Sequence, residues 1–343
     1  MTWRSLLILS AALGNVAGGS AFGQHDLFAP PRQSARRPEA SGSSVSPSAM
    51  RQPPAEEDAA TEEEAAIGEE PREEEEEGGI SDNSFLIEEA YNQEPGVVQH
   101  IFNWVRGWDR QGGERTRSFD FLFTQEWPVG SQEHQFSYAI PLSHVSLRPD
   151  GGPSEHAEGI GDMQLNYRYQ LLTEDDLQPA ISPRFSLILP TGDEEEGLGT
   201  GKLGYQFNVP ISKEVDDWAF HFNAGSTFIP DVEAGVDPSL PFPGRTLNGY
   251  NLGGSAIWLA RPDLNFLLET VALWDEELTE TGAEDHTFEF ILSPGVRWAP
   301  YTSGSTQWVL GIAAPIGLSD DATDISLFLY MSFEHPFNER GYR

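Results

Sequence analysis

Cysteine is absent from the 343 residues of this sequence. The absence excludes disulfides, thiolate metal sites, iron–sulfur clusters and cysteine nucleophiles. Basic residues are also scarce, since 20 Lys and Arg stand against 55 Asp and Glu and give a net charge of −35. Because a nucleic-acid partner needs Lys and Arg to neutralise its phosphates, this composition argues against nucleic-acid binding.

Long apolar runs are missing after the N-terminus, which excludes a helical membrane protein. A membrane β-barrel remains compatible with the sequence, because its strands hide half of their residues in a polar lumen.

Gly-x-Ser-x-Gly, His-Glu-x-x-His and a phosphate-binding glycine loop are absent as well. Acid-rich stretches at 193–196 and 320–324 lack the spacing of a calcium motif. We therefore expect no cofactor and no metal site.

Residues 1–23 have the three-part layout of an export signal. Arg4 supplies the positive charge, residues 6–13 form a short apolar core, and Ala21-Phe22-Gly23 is an acceptable cleavage box. No cysteine follows the core, so a lipoprotein anchor is not available. The prediction is a signal peptide, with a buried N-terminal helix as the alternative.

Residues 24–79 are rich in Pro, Ser, Ala and Glu and poor in large apolar residues. Their charge is segregated, because Arg32, Arg36, Arg37 and Arg51 precede an acidic stretch from Glu56 to Glu77. Such a segment buries too little apolar surface to offset the entropy of ordering, and its like charges repel. We predict a disordered acidic linker in the periplasm; the alternative is an arm that binds cations or a basic partner. Residues 80–96 are predicted to be a lead-in or a short amphipathic helix.

From Val97 onward, apolar and polar residues alternate with a period of two. In the stretch 202–212, Tyr205 and Phe207 fall on one face and Gln206 and Asn208 fall on the other. Strict alternation indicates strands with one face against an apolar medium, each near the length of a tilted membrane strand. The segments are approximately 97–108, 117–127, 135–145, 160–172, 180–190, 202–212, 218–229, 247–259, 264–274, 286–298, 307–317 and 325–335.

The connections between these segments alternate in length. Short ones such as 260–263 are followed by longer and more acidic ones, such as 191–201 and 230–246. Short turns at one end and long loops at the other are typical of outer-membrane barrels, with the short turns in the periplasm. Residues 97–343 are therefore predicted to be all-β, a closed antiparallel transmembrane β-barrel of about twelve strands. A soluble β-sandwich or jelly roll is the alternative.

Tryptophans cluster at the predicted strand ends. Amphipathic rings are most stable at a membrane–water interface, so we predict that these side chains mark the two interfaces. Those next to the short turns are Trp127, Trp218, Trp258, Trp298 and Trp308. Trp108 and Trp274 fall at the opposite strand ends.

The polar strand faces are predicted to line the lumen. Both signs of charge occur there, and about twelve strands give a width between a side-chain-filled eight-stranded barrel and a sixteen-stranded water channel. A narrow pore for small solutes is the prediction; the alternative is that the ion pairs only satisfy buried charge and hold the barrel shape. The proposed lining residues are Asp162, Gln164, Asn166, Arg168, Arg184, Lys202, Gln206, Asn208, His221, Asn223, Glu269, Glu289 and Arg297.

His144 and Ser146 share one strand face near an outer rim. Outer-membrane acyl hydrolases use such a pair, with a carboxylate that orients the histidine. Any pair at i and i+2 in a strand shares a face, however, and so short a match is common by chance. We therefore favour a protein that is not an enzyme and has no catalytic residue.

Four sequence pieces occur in a family-specific order. The lead-in Ser81 to His100, Gly159-Ile160-Gly161-Asp162, Tyr167-Arg168-Tyr169 and Leu189-Pro190-Thr191-Gly192-Asp193 resemble bacterial outer-membrane barrels named for the MetA pathway of phenol degradation. The resemblance covers roughly residue 80 to the end. It implies an outer-membrane barrel that helps small compounds, aromatic ones included, across the membrane, and it carries over no catalytic residue.

The favoured function is a narrow channel in the bacterial cell outer membrane for passive uptake or efflux of small solutes. Its expected partners are outer-membrane lipid, a small-molecule solute and the barrel-assembly machinery. The alternatives are a structural or adhesive barrel with a plugged lumen, a rim acyl hydrolase, and a soluble exported β-sandwich.

Overall fold

The computed structural model describes residues 79–80, 82–111, 113–194, 196–233, 244–278 and 284–337. The predicted signal peptide and all of the predicted linker except Gly79 lie outside these residues. The described strands belong to a single sheet. No helix within these ranges is long and apolar enough to cross a membrane.

Fifteen strands make up the sheet. They are β1 Val97–Gln111, β2 Glu114–Val129, β3 Ser131–Pro149, β4 Glu155–Ile160, β5 Met163–Tyr169, β6 Ala180–Ile181, β7 Arg184–Leu189, β8 Gly204–Val215, β9 Trp218–Val232, β10 Arg245–Arg261, β11 Leu264–Leu278, β12 Glu284–Ser303, β13 Thr306–Ala313, β14 Ile316–Gly317 and β15 Ile325–Pro336.

The sheet closes into a barrel of twelve spanning strands, because β4 with β5, β6 with β7, and β13 with β14 are two pieces of one strand each. The first strand pairs antiparallel with the last, from Val97 opposite Pro336 to Trp108 opposite Ile325. Closure removes the sheet edges that would otherwise template aggregation. The predicted closed antiparallel barrel is confirmed, and the soluble two-sheet sandwich is wrong.

The barrel is apolar outside and polar inside. In β8 the inward side chains of Gln206 and Asn208 are buried, whereas Phe207 on the outward face is 50% exposed and Val209 is 38% exposed. Large apolar side chains are exposed in the same way around the barrel, including Phe220, Leu268 and others. A soluble protein buries these residue types, so this arrangement indicates an apolar surrounding medium.

The two ends of the barrel differ. At the end where the chain enters β1, the connections between strands include single Gly130 and the pairs 216–217, 262–263 and 304–305. The opposite end carries longer loops, including 190–203 and 318–324. We call these the short-turn end and the long-loop end. Gly130 has φ 77°, which explains glycine at that one-residue turn.

The tryptophans lie on the outward face near the strand ends. Trp218, Trp258, Trp298 and Trp308 are 44–46% exposed and belong to the short-turn end. Trp127 is half-buried at the same end, where its ring contacts Phe136 at a centroid distance of 5.2 Å. Trp108 and Trp274 are both 40% exposed toward the long-loop end. Their role as interface anchors stays a prediction.

Two of the sequence pieces singled out above meet where β4 and β5 are interrupted. The Asp162 carboxylate accepts hydrogen bonds from the backbone N–H of Gly192 at 2.9 Å and of Thr200 at 3.1 Å. The Thr191 hydroxyl donates to the Gly161 carbonyl at 2.9 Å. A Cβ on Gly192 would lie 2.2 Å from the Leu198 carbonyl oxygen, so only glycine allows this approach. Asp162 therefore fastens the loop 190–203 to the wall.

Replacing Asp162 with alanine is expected to loosen this loop. The change leaves two backbone N–H groups without their acceptor, at about 1–3 kcal/mol for each buried group. Trypsin should then cleave after Lys202 faster than in the unchanged protein in outer-membrane vesicles. Asp176→Ala, an exposed position in the short-turn end connection 170–179, is the matched control. Equal cleavage rates in Asp162→Ala and the control would contradict this role.

Candidate functional lumen

The chain before β1 lies inside the barrel. Phe85, Leu86, Ile87 and Ala90 are at most 4% exposed, and they contact inward side chains from many strands. The described residues between Gly79 and β1 contain bends and turns but no helix. We call residues 79–96 the inserted segment. It crosses the lumen that the strands enclose.

An apolar seat holds the middle of the inserted segment. The Phe85 ring lies 5.4 Å from the Phe328 ring and 5.2 Å from the Tyr330 ring, measured between centroids. A Cβ on Gly311 would fall 2.3 Å from Phe85 Cζ, and one on Gly295 would fall 2.8 Å from its Cε2. The absence of side chains at these two glycines therefore creates the space that Phe85 fills.

An ionic cluster around Glu88 holds the part of the segment that follows Phe85. Glu88 accepts hydrogen bonds from Arg168 at 3.1 Å and from Asn208 Nδ2 at 2.8 Å, and it forms an ion pair with Arg184 at 2.9 Å. Both arginine side chains are at most 5% exposed. Burial alone would raise the pKa of Glu88, but Arg184 and Arg168 outweigh it and hold the pKa below its usual range. Glu88 is therefore a buried carboxylate between two cations.

Lumen side chains also satisfy the irregular backbone of the segment. The N–H of Leu86 donates to Glu269 at 3.0 Å, and that of Ala90 donates to Ser212 at 2.8 Å. Arg168 donates to the carbonyl of Glu89 at 3.0 Å. Buried backbone groups without partners are costly, so these bonds allow a non-helical chain to stay inside the barrel.

Asp82 anchors the start of the segment. It accepts from Gln99 at 2.5 Å and from the Tyr330 hydroxyl at 2.6 Å, and it also accepts from the Ser332 hydroxyl. Burial raises the pKa of Asp82 to about 6, although Arg297 opposes the shift. Burial likewise raises the pKa of Glu89 to about 7, against the effect of Arg297.

Docking of the inserted segment is expected to weaken as pH rises. The pKa values of Asp82 and Glu89 are higher in the docked state than in an exposed chain, so docking takes up protons. This contribution is complete below about pH 4 and is lost as pH rises through 6 to 7. Conductance in planar bilayers should therefore be lower at pH 5 than at pH 8. Asp82→Asn with Glu89→Gln should flatten the profile, and a conductance that falls with rising pH would contradict it.

Cavities border the inserted segment. One has an empty volume of about 370 Å³, open solvent included, and is lined by Glu88, Arg184, Gln206 and Val271 among others. Another has an empty volume of about 440 Å³, open solvent included, and its lining includes Phe85, Ile101 and Tyr330. Polar and apolar side chains thus share the walls. A solute would meet both types on its way past the segment.

The structure buries most of the sequence-predicted lining residues on inward positions. Those at most 8% exposed are Asp162, Gln164, Asn166, Arg168, Arg184, Gln206, Asn208, His221, Asn223, Glu269, Glu289 and Arg297. Lys202 instead lies in the loop before β8 and pairs with Glu233 at 3.1 Å. Asp162 supports a loop, and Arg168, Arg184, Asn223, Glu269 and Arg297 contact the inserted segment.

Sequence reasoning missed the lumen residues that precede the first strand. Asp82, Glu88, Glu89 and Asn92 make many of the central polar contacts. The sequence carries only a coarse signal for them, because large apolar residues reappear at Phe85, Leu86 and Ile87 after a long stretch that has few, but in no regular period. Among the described residues, no group of His, Asp and Glu side chains has the arrangement of a metal site.

A family model and a solved structure agree with this architecture. The model of a family described as "Putative MetA-pathway of phenol degradation" matches residues 113–299. An outer-membrane channel from Pseudomonas putida F1 superimposes with a TM-score of 0.57 at 12% identity, covering 71% of this chain and 98% of that one. The translocator domain of the autotransporter NalP from Neisseria meningitidis gives 0.44 at 9% identity, covering 72% and 90%. No protein of curated function matches the sequence.

Proposed function

This chain belongs to the MetA-pathway of phenol degradation family, and from that premise we propose that it is a narrow outer-membrane channel for small solutes, aromatic ones included. The observation that carries the proposal is the inside-out barrel with a polar lumen and cavities that border the inserted segment. The family description and the Phe85, Ile101 and Tyr330 surfaces of the larger cavity support aromatic solutes. Passage is passive and needs no catalytic residue.

The proposed lining of the passage is the buried polar set described above, without Lys202. Because the inserted segment occupies the centre of the lumen, a solute passes only when this segment shifts. The tryptophans at the two ends anchor the barrel in the membrane interfaces. The channel thus combines a fixed polar wall with a displaceable central segment.

We further propose the following division of the chain. Residues 1–23 direct export, residues 24–79 form the acidic periplasmic linker, residues 80–96 form the lead-in, and residues 97–343 form the barrel in the bacterial cell outer membrane. Outer-membrane lipid surrounds the apolar face. We expect the barrel-assembly machinery to insert this chain, because a closed antiparallel barrel has to be folded into the outer membrane.

The proposal is tested by gel mobility with and without boiling, followed by conductance and liposome swelling. A boiling-dependent shift of protein from purified outer membranes is expected for a closed barrel. Swelling should be faster with small aromatic carboxylates than with a sugar of equal size. Absence of both conductance and swelling would contradict the channel.

A structural barrel with a plugged lumen is the second candidate. The hydrogen bonds and ion pairs that hold the inserted segment favour it, because each one opposes displacement. The two candidates differ when the segment is loosened. A channel then conducts more, whereas a purely structural barrel becomes less stable and does not transport the solute.

A further inference from the structure

A polar patch on the outward face lies where the apolar band of the barrel ends. Cross-strand partners form the row Trp108, Arg117, Ser146 and His156 over β1 to β4. Four residues nearer the short-turn end, the corresponding row is Trp104, Phe121, Leu142 and Ile160, all apolar. Ser146 and His144 therefore lie at the boundary between apolar and polar surface, on the long-loop side. The ester groups of membrane lipids occupy this level of a bilayer.

His144 is oriented by a carboxylate from the neighbouring strand. Its Nδ1 lies 2.9 Å from Glu158 Oε2, and the two residues are direct cross-strand partners. A carboxylate oxygen accepts at this contact when Nδ1 carries the proton, and in that tautomer the Nε2 lone pair is available as a base. Ser146 is two residues further along β3, on the same outward face.

We propose that Ser146, His144 and Glu158 form a hydrolytic triad that removes acyl chains from phosphorylated lipids of the outer leaflet. A serine, a histidine and a carboxylate that orients the histidine are the parts that acyl transfer requires. Among the described residues no hydrogen bond joins Ser146 to His144, so the contact between nucleophile and base has to form when the substrate binds, as it often does in such sites. The site faces lipid, so its substrate reaches it without entering the lumen.

Basic side chains around Ser146 indicate which class of lipid the site would bind. Arg117 is the cross-strand partner of Ser146, and Arg148 follows Ser146 by two residues on the same face. Both are exposed. His156 is the partner of Ser146 on the other side, and its ring stacks 6.0 Å from His144. Guanidinium groups recognise phosphate, so the patch fits a lipid that carries phosphate near an ester.

The reaction balances with water as the second reactant. Ser146 Oγ attacks the ester carbonyl carbon while its proton moves to His144 Nε2. The carbon–oxygen bond to the lipid breaks, and the leaving alkoxide takes the proton from His144. Water then attacks the acyl-serine, gives a proton to His144, and releases the fatty acid as Ser146 regains its proton. Glu158 is a positioning residue, because it acts through His144.

The test uses the full protein in vesicles and has two arms. One vesicle contains phospholipid only, and the other contains phospholipid and lipopolysaccharide; released fatty acids are measured by mass spectrometry. The unchanged protein should release fatty acid in at least one arm, and that arm identifies the lipid. Ser146→Ala and His144→Ala should lower release by about 10³-fold or more. Ser303→Ala, an exposed serine at the opposite end of the barrel, should release at the unchanged rate.

A fluorophosphonate probe provides a readout that does not depend on the lipid. The unchanged protein should be labelled at Ser146, and His144→Ala should not. Glu158→Gln should lower kcat by about 10²-fold with little change in KM, and Glu158→Asp should restore part of the loss. Gel mobility with and without boiling confirms that each variant is a folded barrel. No release from either vesicle together with no labelling, or release that survives Ser146→Ala, would overturn the triad. Conductance tests the channel and does not depend on fatty-acid release or labelling. A negative result for the triad therefore leaves the channel proposal standing, and the reverse also holds.

Discussion

Replacing Glu88 with alanine is expected to raise the conductance of the barrel and the rate of solute-driven swelling. Glu88 lies between Arg168 and Arg184 in the lumen and forms ion pairs with them at 3.1 Å and 2.9 Å. Removing one partner of a buried ion pair costs about 3–5 kcal/mol, because it leaves charge without compensation. If that cost falls on the docked state, the population with a displaced segment rises by about two to four orders of magnitude.

The measurement is single-channel recording in planar bilayers, with Glu94→Ala as the matched control. Glu94 belongs to the same segment but is exposed, so its loss should leave conductance unchanged. Glu88→Gln should give an intermediate result, since an amide can still accept from one arginine. Identical conductance of Glu88→Ala and Glu94→Ala would show that the ionic cluster does not control passage.

Filling the seat of Phe85 with a new side chain is expected to displace the inserted segment as well, here through its apolar contacts. In Gly311→Val the new side chain would start 2.3 Å from the Phe85 ring, so the ring has to leave its seat. Phe85→Ala removes the ring instead, and a buried Phe→Ala change costs about 3–5 kcal/mol. Both single variants should therefore conduct more than the unchanged protein. Because both act on one contact, their effects in the double variant should be far from additive.

A double-mutant cycle measures this coupling through the open probability of single channels. Val309 neighbours this site on β13 and is 1% exposed, so Val309→Ala controls for loss of a buried side chain without a clash. Additive effects of Gly311→Val and Phe85→Ala, or an unchanged open probability in Gly311→Val, would contradict the seat.

The strands could be predicted from sequence because one physical constraint acts on each of them. A strand between lipid and a polar lumen has to alternate, and Gln206, Phe207 and Asn208 do so in both sequence and structure. The same rule wrongly assigned Lys202 to the barrel wall, because it extended the alternation to residues that precede the strand. The chain leaves the sheet there, because β8 begins only at Gly204.

The inserted segment could not be placed from sequence. Its backbone is held by side chains that are distant in sequence, such as Ser212 for Ala90 and Glu269 for Leu86. Such a chain has no period of its own, so neither a helix nor a strand pattern marks it. The contact of Asp162 with the backbone of Gly192 and Thr200 was hidden for the same reason. Spacing reveals elements, whereas these bonds depend on how the closed barrel brings its elements together.

Locking the inserted segment tests the central claim most directly, and the absence of native cysteine makes the experiment clean. Ala90→Cys with Ser212→Cys places two thiols at a site where Ala90 N and Ser212 Oγ are 2.8 Å apart. The account predicts that oxidation lowers conductance and solute-driven swelling, and that reduction restores both. Equal conductance and swelling in the oxidised and reduced protein, with the cross-link verified by mass spectrometry, would contradict a channel whose passage depends on this segment.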